Sequence, residues 1–91
     1  MELDIRHRVD RQRFEAVVQG QSCVLDYHLD DGIMSIIHTE VAPALQGRGI
    51  AAALVRAALD HAAVQRLKVR PACSYARTYL RRHPDPRLTL A

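Results

Sequence analysis

The chain has 91 residues, of which 48% are hydrophobic and 25% are charged, and its formal net charge is +3 at pH 7. These values predict one globular domain over residues 1–91, acting as a monomer or a weak dimer. No apolar run approaches the ~20 residues that a membrane-spanning helix needs, so we expect a cytoplasmic protein that does not bind membranes. Two cysteines, Cys23 and Cys73, are too few for a disulfide scaffold and lack zinc-ligand spacing, so no metal site is expected.

Charge is distributed unevenly between the two halves of the chain. Residues 1–43 carry four Arg against eight Asp and Glu, whereas residues 44–91 carry nine Arg and Lys against two Asp. A basic C-terminal half suits a phosphate-bearing ligand, and an acidic N-terminal half suits a cationic acceptor such as an amine or a lysine-bearing peptide. For any single arginine, a solvated surface position is the alternative.

Hydrophobic and polar residues alternate through the first half of the chain, which is typical of strands. The alternating sets are Leu3, Ile5, His7 and Val9; Phe14, Ala16 and Val18; Cys23, Leu25, Tyr27 and Leu29; and Ile33, Ser35, Ile37, Thr39 and Val41. Turn-forming residues separate these sets at 10–11, 19–21 and 30–32. The pattern predicts four strands in an antiparallel meander with short hairpins, with Cys23 as a packing residue.

The second half changes to helical periodicity. Apolar residues at helical spacing predict a long helix over 50–63. Residues 67–69 alternate as a short fifth strand, which should lie parallel to the fourth because a helix joins the two, and Pro71 ends it. A second helix is predicted over 74–82 with Ser74 as its N-cap. The order β-β-β-β-α-β-α predicts an α+β fold with a mixed, largely antiparallel sheet.

The segment Gln46-Gly47-Arg48-Gly49-Ile50-Ala51 joins the fourth strand to the long helix. Two glycines let the backbone approach a ligand closely and turn consecutive N–H groups toward it. The helix that follows adds its unpaired N-terminal donors and the positive end of its dipole. The segment therefore predicts a phosphate-binding loop, with a plain turn as the alternative.

The spacing Gln-x-x-Gly-x-Ala in this loop resembles the pyrophosphate-binding loop of the GNAT superfamily of acetyl-CoA-dependent N-acetyltransferases. Two further blocks strengthen the resemblance: Ile37-His38-Thr39-Glu40-Val41 before the loop and Pro71-x-Cys73-Ser74-Tyr75 after it. These blocks, in this order, are similar to those of very small, single-domain GNAT-like proteins. The resemblance covers nearly the whole chain, from about Ile5 to Pro84, and implies a minimal GNAT fold.

In that family the fourth and fifth strands splay apart, and the pantetheine arm of CoA lies in the gap. The resemblance therefore implies acetyl-CoA or CoA as the cofactor, with the backbone of Thr39, Glu40 and Val41 beside the pantetheine. It places the pyrophosphate on the loop, whose residues are Gln46, Gly47, Arg48, Gly49, Ile50 and Ala51. Ordinary GNAT enzymes also have one or two helices that roof the acceptor site, and these are missing from the predicted elements.

Further side chains are candidates for the cofactor site. Guanidinium groups fit phosphate oxygens, so the arginine candidates are Arg48, which is the best placed, with Arg77, Arg81 and Arg82. Tyr75 and Tyr79 are four residues apart and should share a helix face. The resemblance implies a tyrosine acid near the CoA sulfur, and either residue suits that role. The alternatives are packing against the adenine or pantetheine, and packing in the core.

Acetyl transfer to an amine needs a base for the ammonium proton and an acid for the departing thiolate. His38 and Glu40 are the candidate bases, since alternation places them on one face of the fourth strand; a strand-edge ion pair is the alternative. Cys73 precedes the second helix, so the helix N-terminus, Arg70 and Arg77 should lower its pKa. It is a candidate acid or a nucleophile that carries the acetyl group, with core packing as the alternative.

These features predict an acetyl-CoA-dependent N-acetyltransferase that acts on an amine, with a peptide or protein lysine as one candidate acceptor. The alternative is a non-catalytic acyl-CoA-binding or sensing module, which keeps the loop but performs no chemistry at His38, Glu40 and Cys73. A nucleic-acid-binding role is not expected, because aromatic residues are only 4% and the basic residues follow no known nucleic-acid module.

Overall fold

Five strands and two helices form in the predicted order, which confirms the α+β fold. The computed structural model describes residues 3–91, so the first two residues of the predicted domain lie outside the described part. The strands are β1 (Arg6–Arg8), β2 (Arg13–Val18), β3 (Gln21–Asp30), β4 (Ile33–Glu40) and β5 (Lys68–Pro71), and the helices are α1 (Ile50–Val64) and α2 (Ser74–Arg82). Short 3-10 turns occur at Val9–Arg11 and Pro43–Leu45.

The strands lie side by side in chain order, from β1 to β5. Strands β1 to β4 pair antiparallel and β4 pairs parallel with β5, as predicted. The β2–β3 and β3–β4 hairpins turn on Gln19-Gly20 and Asp31-Gly32, in which both residues have positive φ. Two consecutive positive φ values give a two-residue turn the twist that matches its strands. These short turns therefore fix the register of the meander.

Both helices pack on one face of the sheet. One hydrophobic cluster contains most of the buried residues of β2 to β5 together with those of α1 and α2. The helix residues in it are Ile50, Leu54, Val55, Ala58, Leu59, Ala62, Ala76 and Leu80. The other face carries ion pairs between neighbouring strands, Arg8 with Glu15 at 2.7 Å and Arg13 with Asp26 at 2.6 Å. We call it the open face, because no helix of residues 3–91 covers it. Within that range, neither helix is long and apolar enough to cross a membrane.

A β-bulge interrupts β4 at Ile37. Asp26 of β3 pairs with His38, whereas the next residue, Tyr27, pairs with Ile36. Ile37 is therefore an extra residue on β4, and an extra residue exchanges the two faces of the strand beyond it. Ile36 is fully buried, whereas the Ile37 side chain is 52% exposed.

The bulge overturns one prediction from the alternating pattern. That pattern placed the odd-numbered residues from 33 to 41 on one face of the fourth strand, which is wrong. Before the bulge the core-facing residues are the even-numbered Met34 and Ile36. After it, Thr39 lies opposite the buried Leu25 and faces the helices. The sequence pattern carries no register information from β3, which is what sets the bulge.

Two boundaries also differ from the sequence prediction. Cys73, rather than Ser74, is the N-cap of α2, and its side chain makes no capping hydrogen bond. The fifth strand begins at Lys68 and not at Leu67, because the Leu67 N–H donates to Ala62 O at 2.9 Å and so still belongs to the end of α1. The strand then continues through Pro71, its last residue.

The chain after α2 covers the outer edge of β5. The Val69 N–H donates to Thr89 O at 3.0 Å, and the Ala91 N–H donates to Val69 O at 2.8 Å. Arg87 holds this tail against α1 through an ion pair with Asp60 at 2.8 Å. The tail thus pairs an edge that would otherwise present open backbone groups.

A cluster of four rings joins β1, which is shorter than the predicted strand over 3–9, to the core and to α1. The His7 Nε2 lies 2.6 Å from the Tyr27 hydroxyl. The His7 ring stacks on Phe14 with centroids 4.0 Å apart and meets His61 of α1 edge to face at 4.4 Å. Burial, followed by the charge of nearby His61, lowers the pKa of His7 below its ordinary value of 6.5. The cluster therefore favours neutral His7.

We expect acid to destabilise the protein through His7. Because its pKa is lower in the folded chain than in the unfolded chain, the contribution of neutral His7 is complete above a pH of about 6.5 and is lost as the pH falls below it. The free energy of unfolding, measured in urea, should fall between about pH 7.5 and about pH 5.5. The fall should be smaller in His7→Phe, which keeps the ring stack but cannot bind a proton. An equal fall in both proteins would contradict this role for His7.

Candidate functional site

β4 runs past the end of β5, so a gap opens between the two strands. Their last paired residues are Ile36 and Pro71, and in the described chain no residue of β5 pairs with 37–40. Proline has no N–H to donate, which favours the end of the ladder here. A cleft of about 430 Å³ lies beside this gap. It is lined by Thr39, Val41, Gln46, Gly47, Gly49, Ile50, Ala51 and Tyr75.

Most residues of the loop at 46–51 line this cleft. The Gln46 N–H already donates to Pro43 O at 3.3 Å. Gln46 fastens the loop to the end of β4, since its Nε2 donates to Val41 O at 3.2 Å. Gly47 and Gly49 both have a φ of +82°, a left-handed conformation that glycine adopts without steric cost. A Cβ on either glycine would meet no heavy atom of the described residues within 4 Å. Gly49 is the N-cap of α1 and supplies no side-chain hydrogen bond to its first turn. Open space at the two glycines, together with the unpaired N–H groups and the dipole of a helix N-terminus, fits a pyrophosphate.

Cys73 lies next to the cleft, where the chain leaves β5 and enters α2. Its N–H donates to Ile36 O at 2.8 Å, and its Sγ is 3.7 Å from Thr39 Oγ1. Both cysteines are free, but they differ in access to solvent: Cys73 is partly exposed, whereas Cys23 is fully buried in the core, as predicted.

The surroundings of Cys73 favour its thiolate form. Burial raises the pKa of the thiol, but hydrogen bonds outweigh this effect and the net result is a lowered pKa. The groups that would donate to the thiolate are the Ala76 N–H, the Thr39 hydroxyl, the Tyr75 N–H and the Thr39 N–H. In the neutral thiol, Cys73 Sγ donates to Thr39 Oγ1 instead. The sequence correctly predicts the direction, yet the source is hydrogen bonding rather than arginine charge. The Arg77 guanidinium donates to a backbone carbonyl instead.

His38 and Glu40 lie together on the open face, outside the residues that line the cleft. His38 Nε2 is 3.7 Å from Glu40 Oε1, and the two side chains are 54% and 69% exposed. Their predicted common face is confirmed. Asp26, which pairs with His38 in register, holds Arg13 on the same face. Because Thr39 points to the helix face, this end of β4 places His38 and Glu40 on one face of the sheet and Thr39 on the other.

The structure separates the two tyrosines of α2. Tyr75 shares the cleft with Thr39, and burial, followed by the nearby Tyr79, raises the pKa of its phenol above the ordinary value. Tyr79 instead lines a second hollow of about 240 Å³ between α1 and the end of α2, with its ring centroid 4.8 Å from that of His83. Of the two, Tyr75 is therefore the one placed in the cleft.

None of the candidate arginines lines the cleft. They are Arg48, Arg77, Arg81 and Arg82, and all four side chains are exposed. Arg48 lies between the two loop glycines, so its backbone belongs to the loop while its side chain lies outside the lining residues. The cleft therefore offers backbone donors rather than cationic side chains to an anion.

A parallel strand pair that splays apart, joined by a helix that starts at a glycine loop, defines the N-acetyltransferase fold of the GNAT type. A family model described as GCN5-related N-acetyl-transferase matches residues 13–88. The chain belongs to this GCN5-related N-acetyltransferase family, which confirms the resemblance seen in the sequence.

Similar proteins share most of the chain. Protein NATD1 of Mus musculus is 39% identical in an alignment of 87 residues that covers 90% of this chain and 79% of the relative. Protein NATD1 of Homo sapiens is 38% identical, with 90% and 77% covered. The solution NMR structure of a GCN5-like protein from Staphylococcus aureus has a TM-score of 0.70 and 26% identity, with 88% of this chain and 79% of that chain covered.

Gly49→Ala and Gly32→Ala form a matched pair that tests the loop. Both glycines have positive φ and open space at the Cβ position. Each substitution should therefore cost about 1 kcal/mol of folding free energy through backbone strain. Only Gly49 borders the cleft, so only Gly49→Ala should weaken CoA binding, by about tenfold. Isothermal titration calorimetry on the folded variants measures this. The same CoA affinity in both variants would rule out the loop as the phosphate site.

Proposed function

We propose that the chain is an acetyl-CoA-dependent N-acetyltransferase that transfers an acetyl group to an amine. The observation that carries the proposal is the cleft. It combines an open phosphate-binding loop with a stretch of β4 beyond the end of β5, and a thiol of lowered pKa lies beside it. Membership of the GCN5-related family supports the same reaction class. In this proposal residues 1–91 act as one acetyl-CoA-binding domain.

The lining of the cleft fits CoA in two places. The N–H groups of residues 47–51 would hold the pyrophosphate, because the Gln46 N–H already donates to Pro43 O. The backbone of Thr39, Glu40 and Val41, beyond the last residue paired with β5, would hold the pantetheine amides as a neighbouring strand does. Acetyl-CoA bound there supplies an activated acetyl thioester. The remaining chemistry in the proposal belongs to side chains of this chain.

The acceptor amine is proposed to approach from the open face. The cleft lies on the helix face of β4, whereas His38 and Glu40 are exposed on the opposite face of the same segment. The gap beyond Pro71 connects the two faces, so the two substrates would meet within it. One of His38 and Glu40 would take the proton that the attacking ammonium loses.

The charges of the open face indicate which class of acceptor amine fits the site. Two carboxylates of the open face are already paired, because Glu15 pairs with Arg8 and Asp26 pairs with Arg13. Glu40, with His38 as its neighbour, is the carboxylate at the gap. Its attraction for a cation is a local interaction, which adds to the excess of acidic residues in 1–43. A lysine side chain carried on a peptide or protein fits such an open site, and we propose it as the acceptor class.

Cys73 is proposed to be the nucleophile. The thiolate is the attacking form of cysteine, and a lowered pKa increases its population near neutral pH. Its sulfur would bond to the acetyl carbonyl carbon while the bond from that carbon to the CoA sulfur breaks. Attack by the amine on acetyl-Cys73 would then form the amide and release the Cys73 thiolate, with the amine proton passing to His38 or Glu40. Tyr75, whose raised pKa keeps its phenol protonated, can supply a proton to the CoA thiolate.

A brief incubation with acetyl-CoA in the absence of amine should leave one acetyl group on Cys73, detectable by mass spectrometry. Cys23 is an internal control, since full burial should keep it unmodified. With a lysine peptide present, CoA release should be continuous in the wild type and should fall about a hundredfold or more in Cys73→Ala, while CoA still binds. CoA binding without acetyl-Cys73 or turnover over a panel of amines would favour a non-catalytic acyl-CoA-binding module.

Replacing the base should lower the rate without affecting the cofactor. We expect one of the two substitutions His38→Gln and Glu40→Gln, the one that removes the base, to reduce kcat by about a hundredfold. This is the typical contribution of a general base, and the CoA affinity should not change. His28→Gln is the matched control, because His28 is also an exposed histidine of this sheet. If a His38→Gln, Glu40→Gln double variant kept the wild-type kcat, the base would lie elsewhere.

A further inference from the structure

Thr39 connects the wall of the cleft to Cys73. It lines the cleft, and its Oγ1 lies 3.7 Å from Cys73 Sγ. We propose that the Thr39 side chain is a positioning residue, which orients the Cys73 sulfur toward the cleft. This inference rests on the proposed role of Cys73 as nucleophile. The proposal gives a role to the Thr39 hydroxyl, whereas the family resemblance implies a role only for the Thr39 backbone, beside the pantetheine.

Cys73 is fixed to β4 at two points. Its N–H donates to Ile36 O at 2.8 Å, just before the bulge, and its sulfur contacts the Thr39 hydroxyl just after it. The bulge at Ile37 turns Thr39 to the helix face, where the sulfur lies. Strict alternation without the bulge would turn the Thr39 side chain to the opposite face. The backbone and the sulfur of Cys73 are therefore held by the same short segment.

The other groups that would donate to a Cys73 thiolate belong to the backbone. They are the N–H groups of Tyr75, Ala76 and Thr39 itself. A backbone donor at a helix start is fixed in place by the helix. Within residues 3–91, the Thr39 hydroxyl is the side-chain member of this donor set, so it is the part that a substitution can remove. Its loss should leave the sulfur with fewer donors and more freedom to rotate.

Packing by a β-branched residue is the competing explanation for Thr39. Thr39→Val keeps the branched shape and the preference for strands but removes the hydroxyl. Thr39→Ser keeps the hydroxyl but removes the methyl group. Ser35→Ala is the matched control, because it removes a hydroxyl from β4 before the bulge, where Ser35 pairs with the exposed His28. The comparison therefore separates the hydrogen bond from the packing.

The first measurement is the rate of alkylation of Cys73 by iodoacetamide as a function of pH, in the protein without CoA. Buried Cys23 should not react. Thr39→Val should move the midpoint to higher pH and slow alkylation near neutrality by about fivefold, because the thiolate loses a donor. Thr39→Ser and Ser35→Ala should behave as the wild type does. If Thr39→Val proves unstable, Thr39→Ala removes the same hydroxyl and should give the same shift.

The second measurement is the rate at which acetyl-CoA forms acetyl-Cys73. In Thr39→Val this rate, measured at saturating acetyl-CoA, should fall at least as much as alkylation does. Coincident alkylation midpoints in the wild type and Thr39→Val would overturn the positioning role, whether or not Cys73 is acetylated. A shifted midpoint in a protein that never forms acetyl-Cys73 would support the Thr39 contact and instead overturn the nucleophilic role of Cys73.

Discussion

The bulge at Ile37 is the constraint on which the rest of the site depends. Because one residue is added to β4, Thr39 faces the cleft and Cys73, whereas His38 and Glu40 face the open side of the sheet. In strict alternation, His38 and Glu40 would point at the apolar residues of the helices, and burial of that pair would carry a large desolvation cost. The bulge avoids this cost and divides one segment of β4 between two kinds of chemistry.

The second requirement of the site is a gap with helix N-termini beside it. This gap exists because β5 ends before β4 does. After Pro71 the chain passes through Cys73 directly into α2, so N–H groups of its first turn favour the thiolate form of Cys73. The start of α1 lines the same cleft through Gly49 and Ile50. Both helices thus direct the positive ends of their dipoles toward this region, one suited to a phosphate and the other to a thiolate. The exposed arginines are not needed for either interaction, because backbone donors are already in place.

The sequence predicts most of the fold because its signals are local. Alternation, paired turn residues and the change to helical spacing suffice for the strand order and for the loop at 46–51. The faces of β4 could not be predicted in this way, because the bulge depends on pairing with Asp26 and Tyr27 of another strand. The adjacent apolar pair Ile36-Ile37 is the one local sign of the bulge in the sequence. The contact between the Thr39 side chain and Cys73 was missed for the same reason. Residue spacing within one strand does not show which residue of another element a side chain contacts.

In the proposed function, cofactor and acceptor approach β4 from opposite faces of the sheet. Intermolecular NOEs in a complex with CoA and a lysine peptide can detect this arrangement. We expect contacts from the pantetheine to the methyl groups of Thr39 and Ala51, and contacts from the lysine methylenes to the ring of His38. NOEs from the pantetheine to His38, or from CoA to the hollow beside Tyr79 with none to the loop, would contradict it.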